Sequence, residues 1–265
     1  GLRTGDVIVE CGGSAVTSTE QFQSLLQKSG GSAADLQINR NGNQVTLSVE
    51  PAQNEQGVYC IGAWIRDSMA GIGTMTYYDP ATGVFGALGH GVTDTDTALL
   101  MPFSNGSILP STVKAVKRGE VGSAGELRGD FDLTGDLGPL YANTASGIFG
   151  TMEEPIAEAE AIPAGTALPG PAVILANVRG DEVEEYEIEI LKVVSGTADG
   201  RDLVLSVKDP ALLEVTGGIV QMSGSPILQN GQIVGAVTHV LLNDPTKGYG
   251  ILIDHMLEAA GNGAS

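Results

Sequence analysis

The chain has 265 residues, 42% of them hydrophobic and only 5% aromatic, with 38 glycines and a formal charge of −19 from 13 basic and 32 acidic side chains. That length holds one large domain or two ordinary ones, and a glycine-rich, aromatic-poor composition favours short strands joined by many turns, an all-β protein. So acidic a chain repels polyanions, which excludes nucleic acid as a partner, and no stretch approaches the 18 apolar residues of a transmembrane segment. It starts at Gly1 with no initiator methionine, signal peptide or anchor, so a removed upstream segment is expected.

Gly5-Asp6 followed by Val7-Ile8-Val9 reads as a turn and a strand. Ser18-Thr19-Glu20-Gln21 is a capping box, and Phe22, Leu25 and Leu26 then fall on one helical face. Leu36 and Ile38, an Asn41-Gly42 turn, and alternating Val45, Leu47 and Val49 form a hairpin. The order strand, helix, hairpin resembles the second half of a PDZ domain, so residues 1–52 are assigned as the C-terminal part of such a module with an incomplete peptide groove. The polar, aperiodic stretch 51–57 marks a boundary, and residues 58–265 make the second domain. Cys11 and Cys60 are the only thiols. Without neighbouring histidine pairs they are not a zinc site, and a disulfide or two free thiols are both compatible with their spacing.

In the second domain, residues 73–78, a turn at 79–83 and residues 84–90 give a hairpin that ends on His90. Further strands are expected at 112–117, 172–178, 185–194 and 203–207, and the acidic stretch 152–161 is a surface loop or a short helix. Asp130-Phe131-Asp132-Leu133-Thr134-Gly135-Asp136 opens like a calcium loop, but its twelfth position is Tyr141 rather than a bidentate glutamate, so no metal is assigned.

The chemistry concentrates in Val220-Gln221-Met222-Ser223-Gly224-Ser225-Pro226. A serine beside Gly224 and Pro226 sits on a tight turn whose N–H groups converge on one point, the place where a tetrahedral intermediate develops its negative oxygen. Ser223 is therefore the candidate nucleophile. No helix follows, as an α/β-hydrolase elbow would need; instead Ile227-Leu228, the turn Asn230-Gly231 and a second apolar run to Val240 form a hairpin. Serine, tight turn and hairpin resemble the second barrel of chymotrypsin-like enzymes. There the strand carrying Thr238, His239 and Val240 would bind the substrate backbone, and Gly248-Tyr249-Gly250-Ile251 with a helix over 254–260 would close the domain. Of three histidines, His255 falls in that helix and His239 on the substrate strand, leaving His90, between two glycines at a strand end, as the candidate base.

Longer strings carry a closer resemblance: Trp64-Ile65-Arg66-Asp67-Ser68-Met69-Ala70-Gly71-Ile72-Gly73-Thr74, Gly86-Ala87-Leu88-Gly89-His90, Leu213-Glu214-Val215-Thr216-Gly217-Gly218, and the run from Ala236 through Asn243-Asp244-Pro245 to Gly250. In these the chain resembles the stage IV sporulation protein B (SpoIVB) peptidases over nearly its whole length. The resemblance implies a chymotrypsin-like double β-barrel behind a PDZ module. It also implies a serine endopeptidase working in the space between forespore and mother-cell membranes, which cuts itself and cleaves a membrane-associated regulator of an intramembrane protease. No metal or organic cofactor is implied. By motif, His90 is the base, Ser223 the nucleophile and Asp209 the acid, with Asp94 and Asp96 as rival acids. The family's loop would carry a glycine between Gln221 and Met222, and this chain lacks it. An oxyanion donor lost there costs about 10²–10³ in turnover. The donors would then be the N–H groups of Gln221 and Ser223, and a catalytically weak, peptide-binding protein stands as the alternative.

Overall fold

Alternating apolar side chains and left-handed turn residues shape the first of two compact units, Gly1–Gly71 with Thr95–Leu99. A computed structural model describes residues 1–156, 161–194 and 200–263. Strands β1 (Val7–Cys11) and β2 (Ser14–Ala15), helix α1 (Thr19–Lys28), and strands β3 (Ala34–Arg40) and β4 (Asn43–Val49) follow one another, and the sheet runs β2-β1-β3-β4. Asn41 and Gly42 take φ of 51° and 81°, the left-handed pair that a two-residue hairpin turn requires. Ser18 caps α1 by accepting from the Gln21 N–H, while the Gln21 side chain reaches back to the N–H of Thr17, one residue earlier than a capping box prescribes. Phe22 and Leu26 bury against Leu36, Ile38 and Cys11. A small hairpin of β5 (Ala52–Gln53) and β6 (Tyr59–Cys60) is turned by Asn54, whose side chain accepts from the N–H groups of Gln56 and Val58. Gln23 and Gln27 of α1 donate to the Tyr59 carbonyl, so the stretch 51–57 is a structured turn, and the division by compactness falls later, between Gly71 and Ile72. Both cysteines are free; Cys11 is buried, which raises its thiol pKa, and Cys60 donates to the Val58 carbonyl.

The second unit comprises Ile72–Asp94 and Leu100–Ser265. Its first half contains β7 (Met75–Tyr78), β8 (Val84–Ala87), β9 (Ser107–Ile108), β10 (Ser111–Lys117), β11 (Glu126–Phe131), β12 (Gly138–Thr144) and β13 (Gly147–Thr151). Five of them form an open sheet in the order β7-β8-β13-β12-β9, and β10 and β11 pair as a separate ribbon. The ribbon's far end is the stretch that opens like a calcium loop; there Asp132 accepts from the N–H and hydroxyl of Thr134 and so closes a turn. Of the acidic stretch 152–161, residues 157–160 lie outside the described residues, and no helix covers the rest.

The second half continues with β14 (Gly170–Arg179), β15 (Glu182–Val193), β16 (Leu203–Val207), helix α2 (Pro210–Thr216), β17 (Pro226–Gln229), β18 (Gln232–Val240), β19 (Lys247–Leu252) and helix α3 (Ile253–Gly263). Its six strands close into a barrel, β14-β15-β16-β19-β18-β17, around Ile174, Ile188, Ile190, Leu203, Leu205 and Ile227, all buried. Each such side chain contributes about 1.5–3 kcal/mol on burial. Helix α2 is an addition to the sequence reading: Asp209 is its N-cap, Pro210 its first residue, and Gly217 at φ 75° its left-handed C-cap. One closed barrel and one half-barrel that stays open, because β9 is only two residues long and the ribbon pairs with itself, give an all-β, chymotrypsin-like double-barrel fold.

Candidate active site

His90 is placed by a strand end that turns sharply. Beyond β8, Leu88 and Gly89 take φ of 67° and 68° in succession. A Cβ on Gly89 would lie 2.9 Å from side-chain carbons of both Thr238 and Ile251, so only glycine lets this backbone dock on β18 and β19. Asn143 of β12 then clamps the chain beyond the histidine: it accepts from the Val92 N–H at 2.8 Å and donates to the carbonyls of Val92 and Met101 at 3.0 and 3.1 Å. The His90 Nδ1 lies 2.9 Å from the Gly91 carbonyl oxygen. A carbonyl can only accept, so Nδ1 carries the proton and Nε2 keeps the lone pair a general base needs.

Ser223 is held from both sides. Toward the closed barrel, Gly224 donates to the Val237 carbonyl at 2.8 Å and Val237 donates to the Ser225 carbonyl at 2.9 Å. Toward the open sheet, the Thr74 N–H and the Thr76 hydroxyl donate to the carbonyls of Ser223 and Gly224 at 2.9 and 2.8 Å. Gly224, at φ 90°, leaves no space for a side chain, since a Cβ would lie 2.0 Å from the Thr74 carbonyl oxygen and 2.6 Å from the Leu88 nitrogen. The Ser223 hydroxyl donates to the Thr238 carbonyl at 3.1 Å, and the ring of the next residue, His239, lies 5.4 Å from the His90 ring, centroid to centroid. Thr238 and His239 thus bring the serine loop and the His90 corner to one patch of β18.

β18, the strand expected to receive substrate, pairs with β17 only as far as Ala236, while its pairing with β19 runs on to Val240. Thr238 itself is buried and donates to the Gly200 carbonyl. In the loop before the serine, Val220 and Met222 are buried on either side of Gln221, whose φ of 45° lies in the left-handed region that favours glycine.

Asp209 accepts from the Leu212 N–H at 2.9 Å at the start of α2, and that position follows the Val207 end of β16. Gly200, which contacts Gly89 and Thr238, lies before the Leu203 end of the same strand. Asp96 belongs to the first unit, where it pairs with Arg66 at 2.8 Å; Asp94 lies in the second unit and is half-buried. The remaining histidine has a different partner: the fully buried Asp202 accepts from the Leu252 N–H at 3.0 Å and lies 2.8 Å from His255 Nδ1, tying α3 to the barrel. Sequence reading missed Asn143, which in Tyr141-Ala142-Asn143-Thr144 looks like any turn residue, and Asp202, which nothing local distinguishes from the other acids.

Residues 57–257 match the model of the family described as SpoIVB peptidase S55. No curated protein matches the chain. Among solved structures it is similar to a serine-to-alanine mutant of Rv3671c from M. tuberculosis H37Rv in its inactive form, at 16% identity and a TM-score of 0.37, over 49% of this chain and 73% of that one. The inactive form of the Rv3671c protease is similar at 15% identity and a TM-score of 0.35, covering 49% of this chain and 75% of that one. The active form from M. tuberculosis is similar at 15% identity and 0.33, covering 62% and 95%. With a family match that spans most of its length, the chain belongs to the SpoIVB peptidase S55 family and is a serine peptidase.

Proposed function

We propose that Ser223 is the nucleophile and His90 the general base of an endopeptidase. The observation that supports this reading is that both approach consecutive residues of β18: the Ser223 hydroxyl donates to the Thr238 carbonyl, and the His90 ring lies 5.4 Å from the His239 ring. A substrate strand laid along Thr238, His239 and Val240 would bring its carbonyl carbon to Ser223 Oγ. As that oxygen attacks, its proton passes to His90 Nε2, the carbonyl oxygen becomes an oxyanion facing the N–H groups of Gln221 and Ser223, and the imidazolium then protonates the departing amine. Water takes the amine's place and, with His90 again as base, hydrolyses the acyl-enzyme. Among the described residues the Ser223 N–H makes no hydrogen bond within the loop, which supports its use as a donor.

Two roles compete for Asp209. Motif position makes it the orienting acid, whereas its hydrogen bonds make it the cap of α2, with the Gly91 carbonyl taking the Nδ1 proton of His90. The geometry favours the cap.

From the resemblance we carry over the substrate class, a membrane-associated regulator of an intramembrane protease together with the enzyme itself, and the compartment between forespore and mother-cell membranes. Among the described residues no helix is long and apolar enough to cross a membrane. The strand, helix and hairpin order of residues 1–52 supports the PDZ reading of the first unit. A fluorophosphonate probe tests the chemistry: the native protein is expected to be labelled and the Ser223→Ala variant not. An unlabelled native protein would favour the peptide-binding alternative. Self-cleavage predicts fragments that accumulate on incubation of the native chain and are absent from Ser223→Ala.

A further inference from the structure

Gln221 occupies a conformation its residue type resists. Among the described residues five non-glycine residues have positive φ, and two of them are the asparagines of hairpin turns, where that conformation is common. Gln221 is not in such a turn; its φ of 45° persists only where surrounding contacts over-determine it. Packing from below does not supply that constraint. A cavity of about 50 Å³ lies under the loop, lined by Thr74, Leu127, Asn177, Gln221, Met222 and Ser225 among others, and the fully buried Ser225 hydroxyl has no hydrogen-bond partner among the described residues. Space of that size accommodates a water molecule or two rather than a side chain that would brace the backbone. What reaches Gln221 itself is a hydrogen bond from outside the loop: the Leu127 N–H of β11 donates to Gln221 Oε1. Leu127 is itself buried and paired with Val116 across the ribbon, so the anchor is attached to a fixed strand.

We propose that the Gln221 side chain is a positioning residue for catalysis: anchored on the Leu127 N–H, it holds its own backbone left-handed and so aims the oxyanion donors on either side of Met222. This rests on the reading of Ser223 as nucleophile. It also gives this chain a substitute for the conformational freedom that a glycine between Gln221 and Met222 would provide. The ribbon β10–β11 then has a role in the reaction, although it contributes no side chain to the reacting atoms.

The test compares fluorophosphonate labelling rates of the native protein and two variants with matched thermal unfolding midpoints. Gln221→Met keeps the length and loses the acceptor; it is expected to label about 10- to 100-fold more slowly, somewhat less than the 10²–10³ lost with a whole oxyanion donor. Gln221→Ala is expected to fall as far. Gln221→Met labelling at the native rate overturns the proposal. Hydrogen exchange at the Leu127 amide provides a readout independent of Ser223: exchange is expected to quicken at least tenfold in Gln221→Met, and equal protection in the two proteins overturns the anchor even if no probe is bound. Labelling that survives in Ser223→Ala would instead remove the nucleophile assignment and leave the Leu127 measurement standing.

Discussion

Six strands close the second barrel on itself, whereas the five-stranded sheet that leads to His90 stays open at β7 and β9, and the two halves fill their cores differently. Apart from Ala167, just before β14, the residues of the barrel's main buried cluster come from its own strands and the loops and helix between them. The sheet contributes Ala142 and Phe149 to a cluster completed by Ala236 and Ile251 of the barrel and Met256 and Ala260 of α3. An open sheet of this size has too little apolar surface on one face to stand alone, so it borrows the outside of its neighbour. The proposed base, His90, is therefore carried by the dependent half and the proposed nucleophile, Ser223, by the self-sufficient one, and their alignment relies on the strip where the halves join.

The largest effect should come from breaking that strip at Gly224. An alanine there would place a carbon 2.0 Å from the Thr74 carbonyl and 2.6 Å from the Leu88 nitrogen, both backbone atoms that cannot swing aside. Gly224→Ala is expected to lower fluorophosphonate labelling by at least about a hundredfold, because Ser223 and the His90 corner are displaced together. Next in size is Met256→Ala. It removes a fully buried side chain from the shared cluster and should cost about 2–5 kcal/mol in denaturant unfolding. If the sheet really depends on its neighbour, both halves unfold in one transition; a separate early transition of the sheet would show that it has a sufficient core of its own.

Asn143→Ala sharpens the comparison on the side of the base. Three hydrogen bonds to Val92 and Met101 would vanish, leaving partly buried backbone groups unpaired at about 1–3 kcal/mol. Labelling is expected to slow by about tenfold, from looser placement of His90 rather than from any change at Ser223. A loss of stability without loss of rate would mean the clamp serves only the fold.

How far each half was legible follows from the same contrast. The closed barrel announces itself through continuous or alternating apolar runs such as Leu203-Val204-Leu205 and through the Asn230-Gly231 turn, because strands that own a core must carry its side chains in sequence. The strands of the dependent half are harder to see. Glu126-Leu127-Arg128-Gly129-Asp130-Phe131 buries only Leu127, and β12 is interrupted by Pro139 and Asn143, so neither shows a sustained period. His90 and Ser223 could be singled out because only three histidines exist and the serine sits in an unusual turn. The Gln221 anchor could not, since it is made with a backbone N–H 94 residues away.

Asp209 carries a local signal of its own beside its place in the motif. Asp followed by Pro is the opening of a helix, the aspartate capping and the proline pre-set at the first helical position, and that is how the chain uses it. The two roles make opposite demands on one substitution. Asparagine caps a helix about as well as aspartate, so Asp209→Asn should leave the unfolding midpoint in place, and with Gly91 holding the His90 proton it should leave the labelling rate within about threefold. An acid that orients the base would behave otherwise, for removing its charge costs about 10⁴ in the serine-protease case from which the triad is known. Asp209→Ala adds the second half of the contrast: about 1 kcal/mol of stability should go with the cap while the rate stays. A collapse of labelling in Asp209→Asn at unchanged stability would return the residue to the triad, and α2 would then have to release its cap for His90 to be oriented from the far end of β16.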